Sequence, residues 1–380
     1  MSPVLWIALV ASALALYAGG ELAARHWIRA RKRYYVCLPG LRLELRLDRG
    51  VLPDLEPVVR FEINADGERG PDVGSADDDL YRVLVAGGSA VEGYFLDQAS
   101  HWPGVLERLL GAARVHIGSI GRSGVASRDL AVILERVLPQ YRRLDAILIM
   151  VGASDVLGWL ACGAPADAPA PPAPVSGVFA SHPEGPFGWR PSRSAAGELL
   201  KGWWRLRFRP LRVRGQAGRW LGEARAMRAA ATEVRTAVPD PTVMLDNFGT
   251  CFRRLLGRAK AAARRVVVVR QPWFEKAYTP AELAHFWDGA VGYPWKEPVT
   301  VYYSIDVVNR LMAQVDARAA QVAEELGVEH VDLRSLLEPS LTTYYDHWHF
   351  TPAGARQAAA AVAAALLRQR VGAVPSLRAS

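Results

Sequence analysis

The chain has 380 residues, 51% of them hydrophobic and 22% charged, with a formal net charge of +8. That balance excludes a disordered chain and leaves room for one sizeable core with additions. The positive excess sits just after the N-terminus and between about residues 201 and 219, interleaved with no nucleic-acid motif, so no nucleic-acid partner is expected.

From Met1 to Gly20 the chain is uncharged and largely aliphatic, and the first charged side chain is Glu21. As a helix this stretch has about the ~30 Å needed to cross a bilayer, which predicts an anchor over residues 1–20. A cleaved signal peptide is the main rival, because Ala13-Leu14-Ala15 resembles a cleavage site, but the basic n-region of such peptides is missing. Arg25, Arg29, Arg31, Lys32 and Arg33, with Trp27, Tyr34 and Tyr35 among them, form a basic juxtamembrane segment over 21–35. Taken alone, the positive-inside rule leaves the following domain in the cytoplasm.

Residues 36–78 read as an extended segment laid on the core, with a strand and loop at 60–70 and no evident chemistry. From residue 79 the pattern becomes strand, helix, strand. Strands are expected at 83–86, 113–117, 146–151, 265–270 and 328–333, and helices at 102–110, 130–138, 252–263, 305–326 and 352–368. Such alternation predicts a parallel sheet with helices on both faces, built from 79–160 and 245–370. Thr351 and Pro352 suit the start of the last helix.

The intervening 161–244 breaks the rhythm. Residues 164–174 are Ala/Pro-rich and read as an extended linker. Residues 201–214 alternate basic and apolar side chains without one acid, which predicts one basic face and one apolar face. The expected role is an insertion packed on the domain with its basic face in water; a lid, or a patch seated on anionic lipid, is the alternative.

Two stretches carry chemistry. Val83-Leu84-Val85-Ala86 runs into Gly87-Gly88-Ser89, placing a hydroxyl at a strand tip where open α/β sheets bind ligands. Asp346-His347-Trp348-His349, just before the last helix, sets an aspartate three residues ahead of a histidine. On helix-like backbone that spacing lets Asp346 hold one ring nitrogen of His349 and leaves the other for a proton transfer from a serine. The same geometry turns His347 away, toward the surface or the pocket rim. A turn, for Gly-Gly-Ser, and a capping aspartate beside a half-buried histidine are the bland readings. Asp346, His347 and His349 could also suggest a metal, but no further ligand cluster supports one; the cysteines Cys37, Cys162 and Cys251 form neither a zinc pattern nor a disulfide framework. No cofactor is expected.

Gly-x-Ser at a strand tip, a glycine pair after the second strand (Gly121, Gly124), Gly152-Ala153-Ser154-Asp155 after the third, and the late Asp-x-x-His-Phe-Thr-x-x-Gly together resemble the SGNH, or GDSL-like, hydrolase family. The resemblance covers about 80–160 and 245–368. It implies a three-layer α/β/α, flavodoxin-like fold, with Ser89 as nucleophile and Asp346 and His349 completing a triad. It further implies an oxyanion hole from the amides of Ser89 and Gly121 and the side chain at 154. Gly87 stands where the family's name-giving aspartate is usual, which changes no catalytic atom. Ser154 stands where the family has asparagine, and a hydroxyl is a shorter donor than an amide.

The implied activity is a serine esterase cleaving an acyl or acetyl ester through an acyl-enzyme, on a small molecule, lipid or saccharide. An O-acyltransferase using the same triad on a polysaccharide or other hydroxyl acceptor, and a non-catalytic binding protein that kept the fold, are the alternatives. Anchored relatives act outside the inner membrane, against the positive-inside reading. Gln271-Pro272-Trp273-Phe274, after the Val-rich strand, is read either as pocket wall or as core.

Overall fold

The computed structural model describes residues 2–73, 80–111 and 114–372. The expected domain boundary at 78/79 lies outside the described residues. Helix α1 (Pro3–Arg31) starts with Pro3 behind a Ser2 cap and ends at Lys32, whose φ of 47° is left-handed. Strands β1 (Arg42–Leu47) and β2 (Val58–Glu62) pair antiparallel.

The main domain then runs β3 (Tyr81–Gly87), α2 (Ser89–Glu92), α3 (Trp102–Leu110), β4 (Val115–Ser119), α4 (Ser127–Val137), β5 (Ala146–Met150) and α5 (Ala153–Ala161). The intervening segment holds α6 (Val175–Val178), α7 (Ala195–Phe208), β6 (Leu211–Ala217), α8 (Arg219–Ala229) and β7 (Glu233–Arg235). The main domain resumes with α9 (Thr242–Ala262), β8 (Arg265–Arg270), α10 (Pro280–Leu283), β9 (Val301–Tyr303), α11 (Ile305–Glu325), β10 (Glu329–Asp332) and α12 (Pro352–Gly372).

The central sheet has the order β10-β8-β5-β3-β4 and every pairing in it is parallel. Its strands are apolar on both faces because both are covered. Leu84, Ala86, Ile147, Ile149, Val266 and Val268 join a core with α4, α5, α9 and α11. Their neighbours Val83, Val85, Leu148, Met150, Val267 and Val269 join a second core with α3 and α12. The fold is therefore the expected three-layer α/β/α arrangement, and the strand order reverses beside β3, where such sheets bind ligands. The small sheet β2-β1-β6 lies over the second core, into which Leu43, Leu45, Val59 and Phe61 point.

Two stretches differ from expectation. Helix α9 begins at Thr242, not at 252, because Met244 and Phe248 continue the buried stripe of Phe252, Leu255 and Leu256. Packing there overrides the weak helical preference of Val243, Gly249 and Thr250. The basic-apolar run at 201–214 is mostly helix: α7 reaches Phe208, and only 211–217 is strand, paired parallel to β1 at the sheet edge.

Candidate active site

The tip of β3 is shaped by close approach. A Cβ on Gly87 would collide with the Met150 carbonyl of β5 and with Val91. Gly88 donates to that same carbonyl at 3.3 Å and caps α2, so Ser89 occupies the first helical position, where a backbone N–H has no acceptor within its helix. Gly121, just past β4, lies so close to α2 that a Cβ would collide with the Glu92 amide. Its own N–H reaches Ser119 Oγ only at 3.5 Å. Ser154 is the second residue of α5, which starts after Gly152 (φ 147°); its Oγ lies 3.7 Å from where a Cβ on Gly88 would stand. Ser89, Gly121 and Ser154 are thus gathered at the carboxyl ends of β3, β4 and β5.

Asp346 and His349 come from the turn between β10 and α12. His349 Nε2 is 2.8 Å from Ser89 Oγ, and His349 Nδ1 is 2.8 Å and 2.9 Å from the two oxygens of Asp346. The environment assigns the tautomer: Nδ1–H donates to Asp346 and Nε2 accepts from the Ser89 hydroxyl. The backbone is a tight turn closed by a bridge between Tyr344 and Phe350, not the expected helix-like turn. Asp346 Oδ1 folds back to accept the N–H groups of Trp348 and His349, each at 2.9 Å. Burial pushes the Asp346 carboxyl up, but His349, the Trp287 indole N–H at 2.9 Å and the Trp348 amide prevail and hold it at about 2. Burial also disfavours the His349 imidazolium; Asp346 outweighs it and raises the histidine above 6.5.

His347 corrects the expectation of a surface or rim residue, since it is fully buried. Nδ1 lies 2.9 Å from Asp288 Oδ2 and Nε2 2.9 Å from Asn309 Oδ1, and the ring stacks on Phe286. These partners, distant in the chain, hold the ring inward. Trp273 and Phe274 are core residues, and Gln271 is buried with Oε1 accepting the Ala153 amide, so this stretch braces the start of α5.

Several residues around the site had no sequence signal pointing to it. Arg69, from the loop after β2, is buried and directs its guanidinium at the end of α2: it donates to the carbonyls of Glu92 (2.5 Å), Gly93 (2.9 Å) and Leu96 (2.6 Å). Its backbone pairs both ways with Ser119, two residues before Gly121. Glu92 accepts the Ser123 N–H at 2.8 Å and its hydroxyl, clipping the Gly121 loop to α2. Burial raises Asp155 to about 6 while it accepts from the Ser127 N–H and hydroxyl, joining α5 to α4. Among the described residues no group of three or more His, Cys, Asp or Glu is placed to hold a metal.

A parallel α/β/α sheet with a serine at its switch point defines the class as a flavodoxin-like hydrolase fold. Residues 85–357 match the GDSL-like Lipase/Acylhydrolase family, and the chain belongs to that family; it is an ester-hydrolysing enzyme. No curated protein matches it by sequence. Among solved structures it is similar to a lipolytic protein of the G-D-S-L family from Veillonella parvula DSM 2008, at 10% identity and TM-score 0.42, covering 76% of this chain and 99% of that one. It is also similar to the acetylxylan esterase Axe2 from Geobacillus stearothermophilus, at 16% identity and TM-score 0.39, covering 79% and 97%. A carbohydrate acetylesterase family member from Sinorhizobium meliloti is similar at 15% identity and TM-score 0.40, covering 77% and 99%.

Proposed function

We propose that the enzyme cleaves an acyl or acetyl ester through a covalent acyl-enzyme on Ser89. The observation that carries this reading is the continuous chain of short contacts from Ser89 Oγ through His349 to Asp346. Ser89 Oγ attacks the ester carbonyl carbon and its proton passes to His349 Nε2. Asp346 stabilises the imidazolium so formed. The oxyanion accepts from the Ser89 and Gly121 amides and, at its third side, from the Ser154 hydroxyl. Collapse breaks the C–O bond to the alcohol, which leaves with the proton from His349. Water then repeats the sequence, releasing the acid and restoring Ser89.

Helix α1 acts as a membrane anchor in this reading. It contains an 18-residue window of mean hydropathy 1.8, none of it buried, which is long and apolar enough to cross a membrane.

The test is the full chain with Ser89→Ala or His349→Ala, assayed on p-nitrophenyl acetate. Each lowers kcat by ~10⁴-fold or more, and the double variant is no worse than either, because the residues act as a unit. Undiminished turnover in Ser89→Ala rejects the nucleophile.

A further inference from the structure

Trp220, Trp287 and Trp295 meet in one cluster beside the triad, although they come from α8 and from the long connection between β8 and β9. Trp287 is 7% exposed and spends its indole N–H on Asp346, so its place is fixed by the triad. Trp220 packs edge-on against it at 5.4 Å and 83°, and Trp295 at 5.9 Å and 81°; Tyr293 braces Trp295 at 5.3 Å. An edge-on contact sets the rim of one ring on a face of the other, and Trp220 and Trp295 nonetheless remain 36% and 48% exposed.

The cluster lies on the carboxyl edge of the sheet. The connection carrying Trp287 and Trp295 leaves β8, next to β5, and is tied to the end of α5 by the Gly292 N–H on the Ala161 carbonyl at 2.9 Å. Helix α8 is held equally firmly. Arg225 donates to the carbonyls of Val51 (2.7 Å), His285 (3.0 Å) and Tyr345 (2.9 Å), the last being the residue before Asp346. The exposed indoles are therefore pre-organised relative to the triad, which removes much of the ordering cost of binding.

We propose that Trp220 and Trp295 form a saccharide subsite, on which a pyranose ring of the substrate stacks while its ester reaches Ser89. This rests on the esterase reading above and names its substrate class. A pyranose offers one face of C–H bonds that matches the electron-rich face of an indole, while its hydroxyls stay in water. An acyl chain, by contrast, gains most inside a closed aliphatic channel. Here the two indoles are instead open to solvent, with Tyr293 against Trp295 and the Lys296 ammonium 4.3 Å from the Tyr293 ring.

The experiment uses the full chain in nanodiscs and two substrates, a partly O-acetylated β-1,4-linked xylo-oligosaccharide and p-nitrophenyl acetate. Trp295→Ala and Trp220→Ala each lower the ratio of kcat/KM on the oligosaccharide to that on the aryl ester about tenfold, mostly through KM, and Trp295→Tyr restores part of it. An unchanged ratio overturns the subsite, as does a fall seen instead on p-nitrophenyl decanoate, which assigns the faces to an acyl chain. Binding separates this from the esterase reading. The Ser89→Ala chain, titrated with the deacetylated oligosaccharide, loses affinity about tenfold when Trp295→Ala is added. That loss supports the subsite whatever the turnover, and its absence rejects it even if the esterase reading stands.

Discussion

His349 and Ser154 set the chemistry that can be measured at single residues. In the proposed mechanism the neutral imidazole accepts the Ser89 proton, so activity is lost as His349 protonates. Because Asp346 holds that histidine above 6.5, kcat/KM climbs with pH through a value above 6.5 and falls away below it. Asp346→Asn removes the cause: the residual activity, ~10⁴-fold lower, rises at lower pH than in the parent. A limb that stays in place shows that another group titrates. If Ser154 supplies a donor through its short side chain, Ser154→Ala lowers kcat by ~10-fold or more and Ser154→Asn raises it, both with little change in KM. Equal rates in the three proteins place Ser154 outside the oxyanion hole. At this scale the contact between Asp346 and His349 was legible in their spacing, although a tight turn and not a helix-like one makes it. Gly87-Gly88-Ser89 and Asp346-x-x-His349 depend on their own backbone turn. His347 was not legible, because its inward turn is decided by Asp288 and Asn309, distant in the chain.

Elements bring a less local logic. The chain at 286–288 runs beside 346–348 and contacts it residue by residue: Phe286 stacks on His347, Trp287 donates to Asp346, and Asp288 faces His347. Nothing in either stretch alone signals this pairing. The strand and loop at 60–70 were foreseen as a packed extension without chemistry, yet their last arginine ends the helix that begins with Ser89. Three carbonyls at the end of α2 share one guanidinium, which burial lowers to about 10. We expect Arg69→Met to lower turnover per titrated active site by about 10- to 100-fold through misplacement of Ser89 and Gly121, with Arg69→Lys between. Counting competent sites by a covalent phosphonate separates this from simple unfolding. If turnover per site is unchanged and only the melting temperature falls, Arg69 is a structural cap. The central strands, by contrast, were evident from sequence because each is buried on both faces and so reads as an unbroken apolar run.

On the scale of the whole molecule, the apolar N-terminal helix α1 meets the domain through a buried carboxylate and its neighbours. Glu21 accepts the N–H groups of Ala195 and Ala196 at the start of α7 and pairs with Arg25, which also donates to the Phe187 carbonyl. Residues Glu21, Ala24, Arg25 and Ile28 form the inward stripe of α1 beyond the apolar span. Helix α7 turns Arg205 toward the Pro39 carbonyl and leaves Leu200, Trp203, Trp204 and Phe208 exposed. The sequence marked this segment as a break in the strand–helix rhythm but did not show its helix, because basic and apolar residues alternate there with a strand-like period. Glu21→Ala strands two amides and a guanidinium, so trypsin should cut after Lys201 and Arg205 about tenfold faster than in the parent. An unaltered cleavage rate means that α7 is held by its other contacts.

The triad also has an order in time. Ser89 is made 260 residues ahead of His349, an interval of roughly 10–50 s at ordinary rates of translation. During that interval the nascent chain carries Ser89 and its apolar N-terminal helix without the base proposed for it. The turn bearing Asp346 and His349 leads directly into α12, which packs against α3 near the beginning of the domain. In the proposed mechanism a polypeptide released before residue 349 carries Ser89 without its base and is therefore inert.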